Sequence, residues 1–192
     1  MPNREPIPPG LLRLHADARH RLSTWGAPTP DQDRLRAAYL EHLRVHPDAL
    51  WRSGPPAHLT ASLLILDPPA EHVLLTLHAK AQRWFQMGGH IEPTDVDLPH
   101  AALREGLEES GLSELTLLPG PVHLDRHTLS GAFGSCREHL DVRYAAVATG
   151  DLGATVSAES TDVRWFPVDA LPGGADADVA PLVAAALAAM AR

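Results

Sequence analysis

Apolar positions in the first fifty residues repeat at helical spacing and predict two helices. The first would bury the face formed by Leu11, Leu14, Ala18, Leu22 and Trp25. Thr29, Pro30 and Gln32 occupy the N-cap, N1 and N3 positions of a second helix start. That helix would bury Leu35, Ala38, Tyr39 and Leu43, and Pro47 would end it. We interpret residues 1–54 as a helical extension that packs on the rest of the chain, with a substrate lid or a dimer arm as the alternative.

After residue 54 the pattern changes to short apolar runs that are typical of strands. Two of them flank a turn and predict a hairpin, "HLTASLLILD" and "VLLTLH" around "PPAEH". Further strands are predicted in "LTLLP", "VHLDRHTL", "HLDVRYAAVAT" and "DVRWFPV". Helices are predicted from Leu98 to Ser110 and from about Asp176 to Ala191. The domain from 55 to 192 should therefore be α/β, with a mixed sheet covered by helices.

Composition narrows the compartment and the kinds of partner. The chain has 192 residues and a formal net charge of −8, which argues against a nucleic acid or a membrane surface as partner. Cys136 is the only cysteine, so no disulfide can form within the chain and a reducing compartment is favoured. The first residues contain no apolar signal-peptide core, and the longest apolar run is too short to span a bilayer. We expect a soluble cytoplasmic protein, and the sequence leaves a homodimer open.

The first of the domain's predicted helices carries three carboxylates on one face. Glu105, Glu108 and Glu109 fall within an arc of about 100°, because a helix turns roughly 100° per residue. Arg104 lies one turn before Glu108 and is placed to hold it. Such hard oxygen ligands suit Mg²⁺ or Mn²⁺. The preceding pair Gly88–Gly89 lets the chain bend sharply and approach a ligand. Taken alone, the helix is more typical of a solvated acidic face, which is common.

The whole stretch "GGHIEPTDVDLPHAALREGLEESGL" resembles the Nudix box, G-x5-E-x7-R-E-U-x-E-E-x-G-U, in which U is a bulky aliphatic residue. The matching positions are Gly89, Arg104, Glu105, Glu108, Glu109, Gly111 and Leu112. The resemblance covers roughly Ala57 to Leu171. Within this segment the chain is similar to a bacterial subgroup of Nudix proteins with a GGHxE…REGLEESGL-type box. It implies an α/β/α sandwich and a pyrophosphohydrolase that cleaves a nucleoside diphosphate linked to another moiety. It also implies Mg²⁺ or Mn²⁺ as the cofactor.

The resemblance assigns roles to the matching residues. Glu105 and Glu109 would be the principal metal ligands, Glu108 would assist them, and the Gly89 backbone carbonyl would add a ligand. Arg104 would orient the glutamates and belongs with them to the catalytic set. No residue is identified as the base that takes the proton from water.

Three departures from the family pattern bear on these roles. Asp95 stands where a glutamate is usual, and eight rather than seven residues separate it from Arg104. Gly106 occupies a position that is usually aliphatic. The glycine should destabilise the helix by up to about 1 kcal/mol relative to alanine, and it can permit close packing against the sheet.

Substrate contacts are predicted at two places. His90 and Glu92 lie in the loop before the acidic helix, where they would contact substrate; the alternatives are that His90 only closes the turn and that Glu92 binds metal or positions the loop. His139, Asp141 and Arg143 alternate along one strand, so they should share a face, which would either line the substrate cleft or face solvent.

Other residues leave their roles open. The resemblance makes Glu138 and Glu159 candidates for the general base or for an extra metal ligand, with ordinary surface acids as the alternative. Trp84 and Phe85 would either stack on a base or belong to the core. The pairs His42/His46 and His123/His127 have two-ligand spacing but lack the glutamate of H-E-x-x-H, so the sequence does not predict a zinc site.

Two other function classes compete with a hydrolase. One is a non-catalytic module of Nudix-like fold that senses a nucleotide, and the other is an isomerase of that fold that acts on a diphosphate ester. The intact glutamates favour the hydrolase. No further signature marks ADP-ribose, a dinucleoside polyphosphate, NADH or coenzyme A as the substrate.

Overall fold

The computed structural model describes residues 6–129 and 136–192. Its helices are α1 (Pro9–Thr24), α2 (Pro30–Val45), α3 (Leu98–Ser110) and α4 (Val179–Met190). Its strands are β1 (Ala57–Leu66), β2 (His72–His78), β3 (Trp84–Phe85), β4 (Met87–His90), β5 (Leu115–Leu117), β6 (His123–Thr128), β7 (Glu138–Ala148) and β8 (Ser160–Pro167). Among the described residues, no helix is both long and apolar enough to cross a membrane.

The strands form one mixed sheet, as the pattern of short apolar runs predicted. Its centre is the parallel pair β1 and β7, which stay in register from Ala57↔Glu138 to Leu66↔Val147. Strand β2 continues the sheet beyond β1 and carries β3 and β8, while β5 and β6 both pair with β7. Strand β4 pairs antiparallel with the middle of β1, from Thr60↔His90 to Leu63↔Met87. The sheet therefore places β4, β1, β7 and β6 side by side.

Helices cover both faces of the sheet, which confirms the expected α/β/α sandwich. Leu63 and Ile65 of β1 point into a core that also contains buried residues of α1, α2 and α3. Leu64 and Leu66 point the other way, into a second core that is closed by α4. The alternation of side chains along β1 thus assigns each face of the sheet to one helical layer.

Most predicted elements are present with small shifts. The hairpin of β1 and β2 is confirmed by the antiparallel pair Ile65↔Leu74, and α3 has the predicted bounds. Helix α4 begins at Val179 rather than near Asp176. Strands β3 and β4 were not predicted. The bend predicted at Gly88–Gly89 is wrong, because both glycines lie in β4 and pair with β1.

Helices α1 and α2 belong to the same hydrophobic core as the sheet. The buried members are Leu11, Leu14, Ala18 and Leu22 of α1 and Tyr39 and Leu43 of α2. Helix α1 also reaches the acidic helix directly. Asp17 accepts a hydrogen bond from the Leu98 N–H at the start of α3, and Arg21 forms an ion pair with Asp97 at 2.7 Å. The packing expected of these helices is confirmed, while the domain boundary at residue 54 stays a prediction.

The start of α2 is capped as predicted, but the glutamine has a different use. The Thr29 hydroxyl accepts a hydrogen bond from the Gln32 N–H at 3.2 Å. The Gln32 side chain points to β6, where it accepts from the Leu124 N–H at 2.6 Å and donates to the Leu124 carbonyl at 3.0 Å. Gln32 thus acts as an extra strand residue and ties α2 to the edge of the sheet.

Gly106 lies where α3 crosses β1, and a Cβ at this position would overlap Leu63 Cδ2. The close packing predicted for this glycine is confirmed. We expect Gly106→Ala to lower the free energy of unfolding, because overpacking a core costs about 1–3 kcal/mol. Alanine would regain at most about 1 kcal/mol of helix propensity. Urea unfolding measures the difference. Gly26→Ala is the control, since nothing lies within 4 Å of a Cβ there. A more stable Gly106→Ala protein would show that Leu63 can move aside.

Candidate active site

The three carboxylates of α3 differ in their surroundings. Glu109 is 8% exposed and accepts a hydrogen bond from the Gly88 N–H at 3.0 Å. Glu105 lies against Gly89, where a Cβ would come within 2.6 Å of Glu105 Oε1. The glycine pair thus approaches the glutamates closely, while the approach to a ligand stays a prediction. The Glu108 side chain is 60% exposed and lies on the solvent side.

Arg104 connects the acidic helix to the loop before it. Its guanidinium donates to both carboxylate oxygens of Asp95 at 3.0 and 3.1 Å and to the His90 carbonyl at 3.0 Å. It also donates to Glu105 at 2.9 Å and to Glu108 at 3.2 Å. Burial alone would lower the pKa of Arg104, but the hydrogen bonds and charges of Asp95 and Glu105 outweigh it and raise the pKa. These contacts are the ones that an orienting residue requires.

Asp95 is fully buried and acts on Arg104. Besides the guanidinium, it accepts hydrogen bonds from the Glu92 N–H at 2.8 Å and meets His100 Nδ1 at 3.2 Å. Burial would raise the pKa of Asp95, but Arg104 and the Glu92 N–H hold it below the usual value. Asp95, which stands where the family has a glutamate, is thus ionised and holds Arg104 in place through hydrogen bonds.

The glutamate face of α3 concentrates negative charge in a partly buried environment. Burial raises the pKa of Glu109 to about 7; the Gly88 N–H opposes the rise, and the charges of Glu105 and Glu159 add to it. Burial also raises the pKa of Glu105, against the opposing charge of Arg104. A divalent cation would relieve this repulsion, so the hard oxygen donors fit Mg²⁺ or Mn²⁺.

The three glutamates of α3 would not fill the coordination shell of a metal ion by themselves. Within the part of the chain that the structure describes, Glu105, Glu108 and Glu109 do not bring their ligand oxygens within 4.8 Å of one another. Waters and substrate oxygens would therefore have to complete the shell of an ion held here, which is the usual arrangement for Mg²⁺.

The raised pKa of Glu109 predicts how stability depends on pH in the metal-free protein. The folded protein binds more protons than the unfolded chain between pH 4.5, the ordinary value, and about 7, so its free energy of unfolding should fall as pH rises through this window. Glu109→Gln lacks the carboxyl group and should lose that slope. Denaturant unfolding of both proteins with EDTA, at several pH values, gives the difference. A difference that does not change with pH would contradict the raised pKa.

A cavity of about 500 Å³ opens beside these carboxylates. His139, Asp141 and Arg143 of β7 line it together with Gly89 and Glu109. The shared strand face that the sequence predicted is confirmed, because the alternate residues of β7 point into one space. Their contact with substrate stays a prediction.

A buried ion-pair network forms the floor of the cavity. Arg143 is 3% exposed and pairs with Asp141 at 3.0 Å and with Asp125 at 2.9 Å. The Asp141 carboxylate also accepts hydrogen bonds from the hydroxyls of Thr60 at 3.0 Å and Ser62 at 2.7 Å. Burial would lower the pKa of Arg143, but the two aspartates raise it. Arg143 Nη1 is buried and has no hydrogen-bond partner among the described residues, so this fixed cation keeps one unused donor at the cavity floor.

Two predicted contact residues lie outside the lining of this cavity. Glu92 is exposed in the loop after β4, and His90 lies deeper, with its ring 5.2 Å from that of His139. Burial lowers the pKa of His90 to about 4, and burial together with the charge of His90 lowers that of His139 to about 3. Both imidazoles are therefore neutral near pH 7 and offer no positive charge to a phosphate.

The two candidate general bases lie in different places in the fold, and so do the two candidate stacking aromatics. Glu138 lies on the opposite face of β7 from His139 and pairs with Arg126 at 2.8 Å. Glu159 is exposed, but its charge reaches Glu105 and Glu109. The Trp84 ring packs edge-on against Phe166 under α4, with 4.8 Å between the centroids, while Phe85 lines the cavity.

Comparisons with known proteins agree with this geometry. The model of the NUDIX domain family matches residues 56–186. The chain belongs to the Nudix family. A Nudix-family hydrolase from Clostridium perfringens is similar in structure, with a TM-score of 0.55 and 26% sequence identity, over 70% of this chain and 96% of that chain. The bacterial subgroup stays a prediction.

Two further Nudix structures are similar in fold. The Ap4A hydrolase of C. elegans matches with a TM-score of 0.55 and 20% identity, over 69% of this chain and 97% of that chain. The dihydroneopterin triphosphate pyrophosphohydrolase of E. coli matches with a TM-score of 0.53 and 12% identity, over 65% and 91%. A comparison with curated proteins found no match.

Proposed function

We propose that the protein is a Nudix pyrophosphohydrolase that cleaves a phosphoanhydride bond in a nucleoside diphosphate linked to another moiety. The observation that supports this most is the intact carboxylate face of α3, which is packed against Gly88 and Gly89 and opens on the 500 Å³ cavity. A bound Mg²⁺ or Mn²⁺ ion would neutralise phosphate charge and make water a better nucleophile. A cytoplasmic location stays a prediction.

The residues of α3 would have different roles in binding that ion. Glu109 and Glu105 would bind it, since burial keeps both carboxylates in place beside β4. Glu108 would assist from the solvent side. Arg104 positions Glu105 and Glu108 through its hydrogen bonds, and Asp95 fixes Arg104. The Gly89 carbonyl would add a ligand, as the family resemblance implies.

Glu159 is the better placed of the two candidate bases. Its charge contributes to the raised pKa of both Glu105 and Glu109, so it acts electrostatically on the two proposed metal ligands. Glu138 is engaged by Arg126 on the other face of β7. We therefore assign proton acceptance from water to Glu159.

Substrate would occupy the cavity above Arg143 and Asp141. Arg143 lines the cavity, so its positive charge would attract a phosphate oxygen of the substrate, and Asp141 holds the guanidinium in place. Phe85 offers a ring edge or face to a base. The Nudix domain of Shewanella oneidensis NrtR, with 19% identity and a TM-score of 0.50, was crystallised with ADP ribose, which is a ligand of the proposed class.

The test is a screen of nucleoside diphosphate derivatives with Mg²⁺ and with Mn²⁺, in oxygen-labelled water, with the products resolved. We expect two phosphate-containing products, one of which carries the label, and no reaction with EDTA. Tight binding without turnover would instead support a nucleotide-sensing module. Conversion without cleavage would support an isomerase.

A further inference from the structure

Three histidines and the single cysteine converge at one end of the polar strand face. His58 lies in β1, His90 in β4 and His139 in β7, and Cys136 comes just before β7. One ligand atom from each of these four side chains lies within 4.8 Å of every other. Among the described residues, no other group of three or more His, Cys, Asp or Glu side chains is as compact. We call these four residues the His₃Cys cluster.

Strand register brings the cluster together. His58 and His139 are direct partners in the parallel pair of β1 and β7, and His90 pairs with Thr60, two residues along the same face of β1. The three imidazole centroids are 5.2 Å apart in each pair. The Nε2 atoms of His58 and His90 are 3.2 Å apart, and Cys136 Sγ is 3.9 Å from His90 Nε2.

The hydrogen bonds of the cluster leave one of its inward nitrogen atoms without a partner in the described part of the chain. His58 Nδ1 lies 3.1 Å from the Pro55 carbonyl, which can only accept, so Nδ1 carries the proton. The lone pair of His58 Nε2 then points into the cluster. His139 Nε2 is buried with no hydrogen-bond partner among the described residues. A metal-binding histidine typically has this arrangement, with one nitrogen held by a carbonyl and the other directed inward.

We propose that the His₃Cys cluster binds one Zn²⁺ ion, at a site separate from the glutamates of α3. Imidazole nitrogens and a thiolate suit zinc, whereas Mg²⁺ and Mn²⁺ prefer oxygen. Tetrahedral zinc has Zn–N of about 2.0–2.1 Å and Zn–S of about 2.3 Å, so the ligand atoms of a site with three nitrogens and one sulfur lie roughly 3.3–3.6 Å apart. Two pairs of the cluster, at 3.2 and 3.9 Å, already lie close to these spacings, and no ligand atom is more than 4.8 Å from another. On binding, the S–H bond of Cys136 breaks, its proton goes to solvent and the thiolate binds the ion.

Four protein ligands leave no open position, so the zinc site is structural. It joins β4 to β1 and β7 directly after the glycines that contact Glu105 and Glu109. It also fixes His90, whose carbonyl accepts a hydrogen bond from Arg104. This assignment replaces the substrate-binding role predicted for His90 and His139.

The test uses the full chain, stripped with a chelator and titrated with Co²⁺ and then with Zn²⁺. We expect one tightly bound Co²⁺ per chain, with a thiolate-to-cobalt charge-transfer band, displaced by Zn²⁺. In Cys136→Ser the band should vanish. His139→Ala should weaken zinc binding by about 100-fold or more, since losing even a hydrogen-bond partner of a ligand costs 10–100-fold. Zn²⁺ should raise the melting temperature of the wild type but not of Cys136→Ser.

Two control variants separate this site from the rest of the molecule. His20→Ala removes an exposed histidine of α1 and should bind Co²⁺ like the wild type. Glu105→Gln should keep the charge-transfer band, because Glu105 belongs to the other site. Circular dichroism of metal-free Cys136→Ser checks that it folds. No charge-transfer band in the wild type, or the same band in Cys136→Ser, would overturn the proposal, and neither result bears on whether α3 supports hydrolysis.

Discussion

Replacing Glu109 with glutamine is expected to lower metal-dependent turnover by about a hundredfold or more. The change keeps the size of the side chain but removes the charge of the most buried carboxylate of α3. Charge stabilisation by a bound metal is worth several kcal/mol, and a hundredfold loss corresponds to about 2.7 kcal/mol. Steady-state kinetics with Mg²⁺, on a substrate found by the screen, measures the loss.

The same variant should not lose stability without metal. The glutamine oxygen can still accept from the Gly88 N–H, while burial of a carboxylate and its repulsion with Glu105 are removed. Stabilisation by added metal depends on the metal concentration relative to its dissociation constant, so the increase in melting temperature should shrink. Thermal unfolding with and without Mg²⁺ separates these two effects.

Glu114→Gln is the matched control, because it removes the same charge from an exposed residue just after α3. Turnover, metal-free stability and stabilisation by metal should all stay near wild type. If Glu109→Gln kept full metal-dependent turnover, Glu109 would not be a ligand of an essential metal. If the wild type showed neither turnover nor stabilisation by metal, the nucleotide-sensing module would become the better account.

The acidic helix could be predicted from the sequence because its signals are local. Asp97 caps its start by accepting from the His100 N–H, Pro99 fits the first turn, and Gly111 ends it in the left-handed region with a φ of 67°. Each signal lies within a few residues of the backbone that it shapes. The same holds for the carboxylate face, since helical spacing alone places Glu105 beside Glu109.

Strand β4 could not be predicted in the same way. A Gly-Gly pair is typical of a turn, and only pairing with β1, more than twenty residues earlier in the chain, makes it extended. The glycines are required because Ser62 and Glu105 occupy the space of their side chains. Gln32 is a similar case, since its partner Leu124 is distant in the sequence.

The His₃Cys cluster was missed for a related reason. Its members are spread over β1, β4 and the start of β7. They are therefore far apart in the sequence and form no short metal-binding motif. The histidine pairs with motif-like spacing, in contrast, belong to no compact group of three or more potential ligands among the described residues. Asp125 was also overlooked, because its partner Arg143 is brought to it by the pairing of β6 with β7.

The contacts of residues 6–54 indicate that the rest of the folded chain depends on them. Their buried side chains are part of the core that lies under α3 and one face of the sheet. Asp17 supplies an acceptor to the first turn of α3, and Arg13 donates to the Asp95 carbonyl at 2.9 Å. The Tyr39 hydroxyl donates to the Asp125 carbonyl, next to the buried ion pair of Arg143.

A chain that begins at Pro55 is therefore expected to lose its cooperative unfolding transition or to melt far below the full-length protein. Removal would expose one face of the core to water, which costs about 25 cal/mol per Å² of apolar surface, and would leave buried polar groups without partners. The α3 site would also lose its contacts with Asp17 and Arg13, so turnover should fall even where some folded protein remains. Differential scanning calorimetry and the activity assay on both chains measure these effects.

A pair of point variants shows whether the loss comes from packing. Leu14 is fully buried, and Leu14→Ala should cost about 2–5 kcal/mol of unfolding free energy. Leu12 is 48% exposed on the same helix, so Leu12→Ala should change it by no more than about 0.5 kcal/mol. Equal effects of the two variants would mean that α1 is not packed as described. If the chain from Pro55 kept the melting temperature and turnover of the full protein, residues 1–54 would be an independent appendage, and a lid or dimer arm would have to be sought in their exposed face instead.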